Sequence, residues 1–264
     1  MLEYAFMQRA LAAAVIVGVV SGALGFFVVL RRLAFMGVGI SHSAIGGVAL
    51  GLVLGIHPLA SGAAFAVAVA LGIAFASGRA GLDEDAVIGV FFSASMALAV
   101  VLFSLERGYR PDLFGYLFGN VLAISAGELW GLAAAAAAIL LLLAATFREH
   151  LFIAFDEELA RAYGSPVERM NALLLVLVAA AVVVGMRLVG VLLIEALLVI
   201  PAAVAALWAR NFRGQLVLSV ALAVGSGALG LAAAWALDVA AGGAIVLVAA
   251  ACFFATLSLR RPQP

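Results

Sequence analysis

L-A-A-A-V-I-V-G-V-V-S-G-A-L-G-F-F-V-V-L, residues Leu11–Leu30, runs without a charged side chain and then meets Arg31 and Arg32. At about 1.5 Å of rise per residue, a helix of this length covers the roughly 30 Å of bilayer hydrocarbon. A pair of arginines follows it, where a leader peptide would carry a small-residue cleavage site. The stretch is therefore expected to be a first membrane span and not a removable signal.

The rest of the chain agrees with that start. Of its 264 residues 67% are hydrophobic and only 11% charged, whereas a soluble domain carries about 25% charged residues. A soluble fold of this length has too little interior to hide so much apolar surface. The surplus must face lipid. Further apolar runs place spans near 10–30, 38–56, 58–78, 87–105, 127–146, 171–187, 189–208, 215–236 and 242–259. The expected fold is an all-α integral membrane protein, a polytopic helical bundle of 8–10 transmembrane helices with nine preferred. It reads as a single transmembrane domain over 1–264. Two places stay open: Glu106 to Asn120 suits a loop, an interfacial helix or a re-entrant segment, and a break near Arg187 suits either two spans or one kinked one.

Every basic residue apart from the histidines is arginine. If the first span runs inward, Arg31, Arg32, Arg79, Arg148, Arg161, Arg169, Arg210, Arg213, Arg260 and Arg261 lie in the cytoplasm. Only Arg9, Arg107, Arg110 and Arg187 then lie outside. The positive-inside rule thus predicts an external N-terminus and a cytoplasmic C-terminus. Without lysine the chain cannot form a P-loop, G-x-x-x-x-G-K-[ST], so any ATP that drives it must be bound by another chain. The lone Cys252 excludes an intrachain disulfide and reads as a structural thiol. Gly47, Gly51 and Gly55, and likewise Gly18 and Gly22, make small-residue ridges of the kind that bring helix backbones together in lipid. Packing within one subunit is the expectation for both, with a dimer seam as the alternative.

Two ionisable residues fall within spans. His42, in Ser41-His42-Ser43, lies about 15 Å beyond Arg32, and Glu195 about 22 Å before Arg210, at helical rise. Such groups in hydrocarbon are costly and usually face a cavity, a partner or a transport path. Imidazole nitrogen and carboxylate oxygen are ligands that zinc and manganese accept. Taken alone, each equally suits a neutral group hydrogen-bonded to a neighbouring helix; their shared depth favours a metal path. His57 and His150 read as surface histidines, and Asp238 as a helix-end residue. Ser93 and Ser95 are expected to bond back to their own helix.

The long polar segment 148–171 includes D-E-E-L-A-R-A-Y-G, Asp156 to Gly164. Asp156, Glu157 and Glu158 suit the first turn of a short helix, where acids complement the dipole. Leu159 and Tyr163 share a face, and Gly164 and Pro166 end the helix. Exposed apolar residues on such a helix suit docking into a partner's groove, against the plainer reading of a connector.

Four stretches, in order, resemble the zinc/manganese/iron-type membrane subunits of ABC importers. Phe27 to Gly51 is similar to the family's arginine, G-D-x-x-S-H and P-G-V-A-L-G. Asp112 to Ser125 is similar to S-Y-L-F-G-N-x-L. Asp156 to Gly164 is similar to D-x-E-x-A-x-x-x-G, and Gly190 to Ala205 to A-L-L-x-I-P-A-A-x-A. The resemblance implies a dimeric permease in the bacterial inner membrane, two cytoplasmic ABC ATPase subunits and an extracytoplasmic metal-binding protein. It implies no resident cofactor and no nucleic acid, only a divalent metal ion as cargo. Asp156, Glu157, Glu158, Leu159, Ala160, Tyr163 and Gly164 would then be the coupling helix, and His42 would lie in the metal path. Val38 stands where the family has an aspartate, four residues before the histidine, and Glu195 stands where it commonly has a small residue.

A permease for metal chelates is the alternative, with a proton-coupled carrier behind it. A mid-membrane His and Glu argue against the first, and the lack of visible inverted repeats against the second. No nucleophile–base pair suggests an enzyme.

Overall fold

The structure is a computed structural model that describes residues 3–80, 84–105, 119 and 123–259. Among them nine helices are long and apolar enough to cross a membrane. In chain order these are α1 (Ala5–Leu30), α2 (Ala34–Val53), α3 (Pro58–Ala80), α4 (Glu84–Leu105) and α5 (Ala126–Ala145), then α8 (Val167–Val189), α9 (Val191–Trp208), α10 (Phe212–Leu237) and α11 (Ala241–Leu259). Two short helices, α6 (Phe147–Phe155) and α7 (Glu157–Ala162), stand between the fifth and sixth spans. The nine match the spans expected from the sequence, and the break near Arg187 resolves into two helices separated at Gly190. Most of the Glu106–Asn120 stretch lies outside the described residues.

Helix boundaries follow local chemistry. Ser125 and Glu128 form a reciprocal cap on α5: the Ser125 amide donates to Glu128 Oε2 at 3.0 Å, and the Glu128 amide to Ser125 Oγ at 3.2 Å. Asn211 Oδ1 accepts from the Gly214 amide at 2.7 Å to start α10. At the other end of α10, Asp238 caps in the left-handed region, φ 53°, which fits its expected place at a helix end. Gly55, φ 67°, ends α2 in the same way, and Ile56 N donates back to Gly51 O at 2.9 Å.

The chain divides into two units. One holds α1, most of α5, and α9 to α11; the other holds α2, α3, α4, α6, α7 and most of α8. In the first, α1 packs on α9 and α10. A Cβ at Gly22 would stand 2.7 Å from Val220 Cα, and Ser219 Oγ donates to Gly22 O at 2.7 Å across the buried crossing. A Cβ at Gly25 would overlap the Leu198 carbonyl of α9. In the second unit α2 is the central rod, packed on α3 and α4. A Cβ at Gly51 would stand 2.7 Å from Ser61 Cβ, one at Gly47 would meet Phe65 and Gly62, and one at Gly46 would stand 2.9 Å from the Ser95 carbonyl of α4. Both glycine ridges therefore serve packing within one chain. Gly55 is not part of its ridge, since nothing lies within 4 Å of its Cβ position.

Away from these seams the helices show apolar flanks. Phe75, Val90, Leu141, Val217, Leu247 and Phe254 are each 62–71% exposed, a surface that suits hydrocarbon. Tyr4, Phe6 and Trp235 cluster where α1 begins and α10 ends, with Tyr4 and Trp235 centroids 5.5 Å apart. Amphipathic rings of this kind suit a membrane–water boundary.

Two alanine substitutions test this packing. Gly22→Ala drives a methyl into the α10 backbone and should cost about 1–3 kcal/mol. Gly225→Ala, with nothing within 4 Å of the new Cβ, should be neutral or gain up to about 1 kcal/mol of helix propensity. Thermal unfolding in detergent should order them Gly225→Ala, wild type, Gly22→Ala; equal midpoints would refute a backbone-to-backbone crossing at Gly22.

Candidate functional site

His42 lies eight residues into α2 and is half-buried. Its Nδ1 is 3.0 Å from the Val38 carbonyl oxygen and 3.4 Å from Ser41 Oγ, and Ser41 Oγ donates to the same carbonyl at 3.1 Å. The ring meets Phe92 of α4 edge-on, with centroids 5.4 Å apart. A proton on Nδ1 donated to Val38 O leaves the lone pair on Nε2, the form in which imidazole binds a cation. The valine side chain at position 38 cannot ligate, yet its backbone oxygen orients the histidine one turn on.

Glu195 is half-buried in the second turn of α9, between the buried Ile194 and Leu197. α9 begins after Gly190, whose φ of 87° turns the chain out of α8. Gly119 packs directly on this turn: a Cβ there would overlap the Gly190 nitrogen. Measured from Trp208, Glu195 is as deep as its spacing predicts. Measured from Gly190 it is only about 8 Å in, at helical rise, so it sits nearer that end of its helix than mid-span. Pro201, buried within α9, lacks the amide that would bond the Leu197 carbonyl. His42 belongs to the unit built on α2, Glu195 to the unit built on α1. Among the described residues no group of three or more His, Cys, Asp and Glu side chains forms a candidate metal site.

The 156–164 segment has the expected form. Asp156 is the N-cap of α7 and its Oδ1 accepts from the Leu159 amide at 2.8 Å. Glu157 and Glu158 occupy the first turn, Tyr163 is the C-cap, and Gly164 takes φ 81°. One face is buried: Ala160 packs with Ile153 and Val167, and with the partly buried Phe152 and Met170. The other face shows Leu159, 45% exposed, and Tyr163, 78% exposed. A helix of six residues cannot hold itself together by propensity; the cap and the Ala160 contact fix it, leaving the two apolar side chains outward.

His57 is exposed as expected, but His150 is not. The expected surface histidine is fully buried on α6, one turn before Ile153. The signal was the helical period of F-R-E-H-L-F-I, which sets His150 and Ile153 on one face; the charged neighbours Arg148 and Glu149 masked it. Burial, reinforced by the nearby Arg31 charge and opposed by Glu149, lowers the His150 pKa from 6.5 to about 4. The folded protein thus resists a proton that the unfolded chain accepts. Stability present above pH 6.5 is lost as pH falls towards 4, by up to about 3 kcal/mol at the full shift. Amide protection factors over 147–163, which take out the intrinsic fall of exchange rate with pH, should therefore drop between pH 7 and pH 5 in the wild type and not in His150→Leu; equal pH dependence of protection in the two would contradict this.

The family model described as "ABC 3 transport family" matches residues 3–260. The manganese transport system membrane protein MntC of Listeria monocytogenes is 36% identical over 254 residues, covering 96% of this chain and 90% of that protein. The manganese import system permease protein ScaB of Streptococcus gordonii is 36% identical over 261 residues, covering 99% and 94%. The solved structure of PsaBC from Streptococcus pneumoniae in complex with Fab superposes with a TM-score of 0.82 at 37% identity, over 96% of this chain and 91% of that one. Matched from its first helix to its last, this multi-pass chain is a membrane permease of the ABC 3 transport family.

Proposed function

We propose that this chain is the permease subunit of an ATP-driven importer that carries a divalent metal ion, manganese(II) ahead of zinc or iron(II), into the bacterial cytoplasm. The observation that carries this is the end-to-end similarity to proteins named as a manganese transport system membrane protein and a manganese import system permease, over 96–99% of the chain. The short α7 with its outward Leu159 and Tyr163 supports an ATPase partner, and without lysine this chain has no P-loop of its own to bind the ATP that would drive it. The complete assembly is two copies of this chain, each a single permease domain, with two ATPase subunits and an extracytoplasmic metal-binding protein. The chain lies in the inner membrane with its N-terminus outside and its C-terminus in the cytoplasm.

In this reading His42 Nε2 and the Glu195 carboxylate are the protein ligands met by the passing ion. A transported ion must be held weakly enough to leave. Two ligands per subunit, with water completing the shell, meet that demand better than a closed site of four. A nitrogen–oxygen pair also suits manganese, which accepts carboxylate and water readily. Glu195 supplies the carboxylate that Val38 cannot.

Uptake into proteoliposomes holding the permease and its ATPase, with manganese(II), zinc and iron(II) compared, tests the cargo. His42→Ala and Glu195→Ala should each cut manganese uptake about tenfold or more, and the double variant should be little worse than the poorer single, as for groups acting on one ion. Val38→Asp placed in Glu195→Ala should recover part of the loss. Additive losses would separate the two residues and leave Glu195 a structural acid.

Docking is tested by Leu159→Glu, which sets a charge on the outward face of α7 while leaving Ala160 packed. ATP hydrolysis by the assembled importer should lose its stimulation by metal, and uptake should fall with it. Unchanged stimulation would mean that α7 is only a connector.

A further inference from the structure

The α1–α2 corner, residues 31–33, carries a feature that the transport reading leaves unused. Arg31 has a nearly buried side chain, 7% exposed, with Nη2 3.8 Å from Glu157 Oε2 on α7. The other carboxylate oxygen, Glu157 Oε1, accepts from Arg161 Nη2 at 3.2 Å, and Arg161 Nη1 reaches Glu168 of α8 at 2.8 Å. The four charges alternate in sign from the head of α2, across the docking segment, to the start of α8. Arg161 and Glu168 are 58% and 65% exposed, so their pair is screened and weak. Arg31 differs because its side chain is largely out of water, so loosening its contact with Glu157, itself 43% exposed, matters more than loosening a fully exposed pair. His150, also buried beside Arg31, stays neutral at physiological pH and does not compete for Glu157.

The corner is tightly turned as well as charged. Arg32 takes φ 60°, a left-handed conformation that side chains rarely adopt, and α2 starts two residues later. From there α2 runs as one rod, held by α3 and α4, and His42 lies eleven positions beyond Arg31, about 16 Å along it.

We propose that Arg31 is a positioning residue that transmits movement of α7 to α2, and so to His42, through its ion pair with Glu157. This rests on the transport reading above. A push on α7 moves the Glu157 carboxylate, Arg31 moves with it, and, only three residues before Ala34 at the start of α2, it passes the shift to the head of that helix.

Two measurements decide it. In proteoliposomes with the ATPase, manganese(II) carried per ATP hydrolysed should fall about fivefold or more in Arg31→Met, the lower end of ordinary coupling between distant sites. Hydrolysis itself should continue, Arg31→Lys should recover much of the ratio, and Glu168→Gln should leave it unchanged. A purely structural defect would instead lower uptake and hydrolysis together. In the permease alone, amide exchange over 157–163 should quicken in Arg31→Met and Glu157→Gln alike. Wild-type exchange in Arg31→Met overturns the proposal whatever the cargo, and so does quickened exchange with an unchanged ratio. If the wild type carries no manganese, the transport reading fails, while the exchange measurement still decides whether Arg31 holds α7.

Discussion

In lipid, helices gain little by hiding apolar side chains from one another, because the surrounding tails are just as apolar. What holds this chain's helices is contact so close that a methyl group would not fit. Gly22 lets α1 touch the α10 backbone, and there Ser219 adds a buried hydrogen bond to Gly22 O. Gly46, Gly47 and Gly51 let α2 lie against α3 and α4. The candidate residues inherit their positions from these seams. His42 falls between Gly39 and Gly46 on the most tightly held rod of its unit, and Glu195 lies three residues before Leu198, whose carbonyl meets Gly25.

The spans were legible because bilayer thickness converts directly into a count of apolar residues. The form of α7 was legible because capping and stop signals are local. Asp156, Gly164 and Pro166 act within a few positions of themselves. Features that depend on long-range approach were hidden. Nothing in the sequence joins Arg31 to Glu157, or Gly119 to Gly190. Gly55 continued a ridge by spacing, yet it serves as a turn, because the helix ends before the ridge does. His150 was misread because its flanking charges outweighed a short apolar period, and Glu195 is nearer one helix end because the turn at Gly190 sets where α9 starts.

The candidate metal ligands illustrate how a missing side chain need not empty a position. Without an aspartate at 38, one turn of α2 still presents an oxygen to His42, the carbonyl of Val38. Backbone oxygen is a weaker base than carboxylate and carries no net charge, so it orients the imidazole without adding to the charge a cation meets. Any charge offered to a cation must then come from a side chain other than the one at position 38.

The contact of Gly119 with Gly190 has an evolutionary consequence. Most tight contacts can drift, since a larger residue on one side is accommodated by a smaller one on the other. Here both partners are already the smallest residue there is, and each also holds a positive φ, 63° and 87°. Neither can shrink to excuse its neighbour, and neither can gain a side chain without strain of its own. The start of α9, and with it the height of Glu195, is thus pinned by a pair of positions that no second substitution can repair.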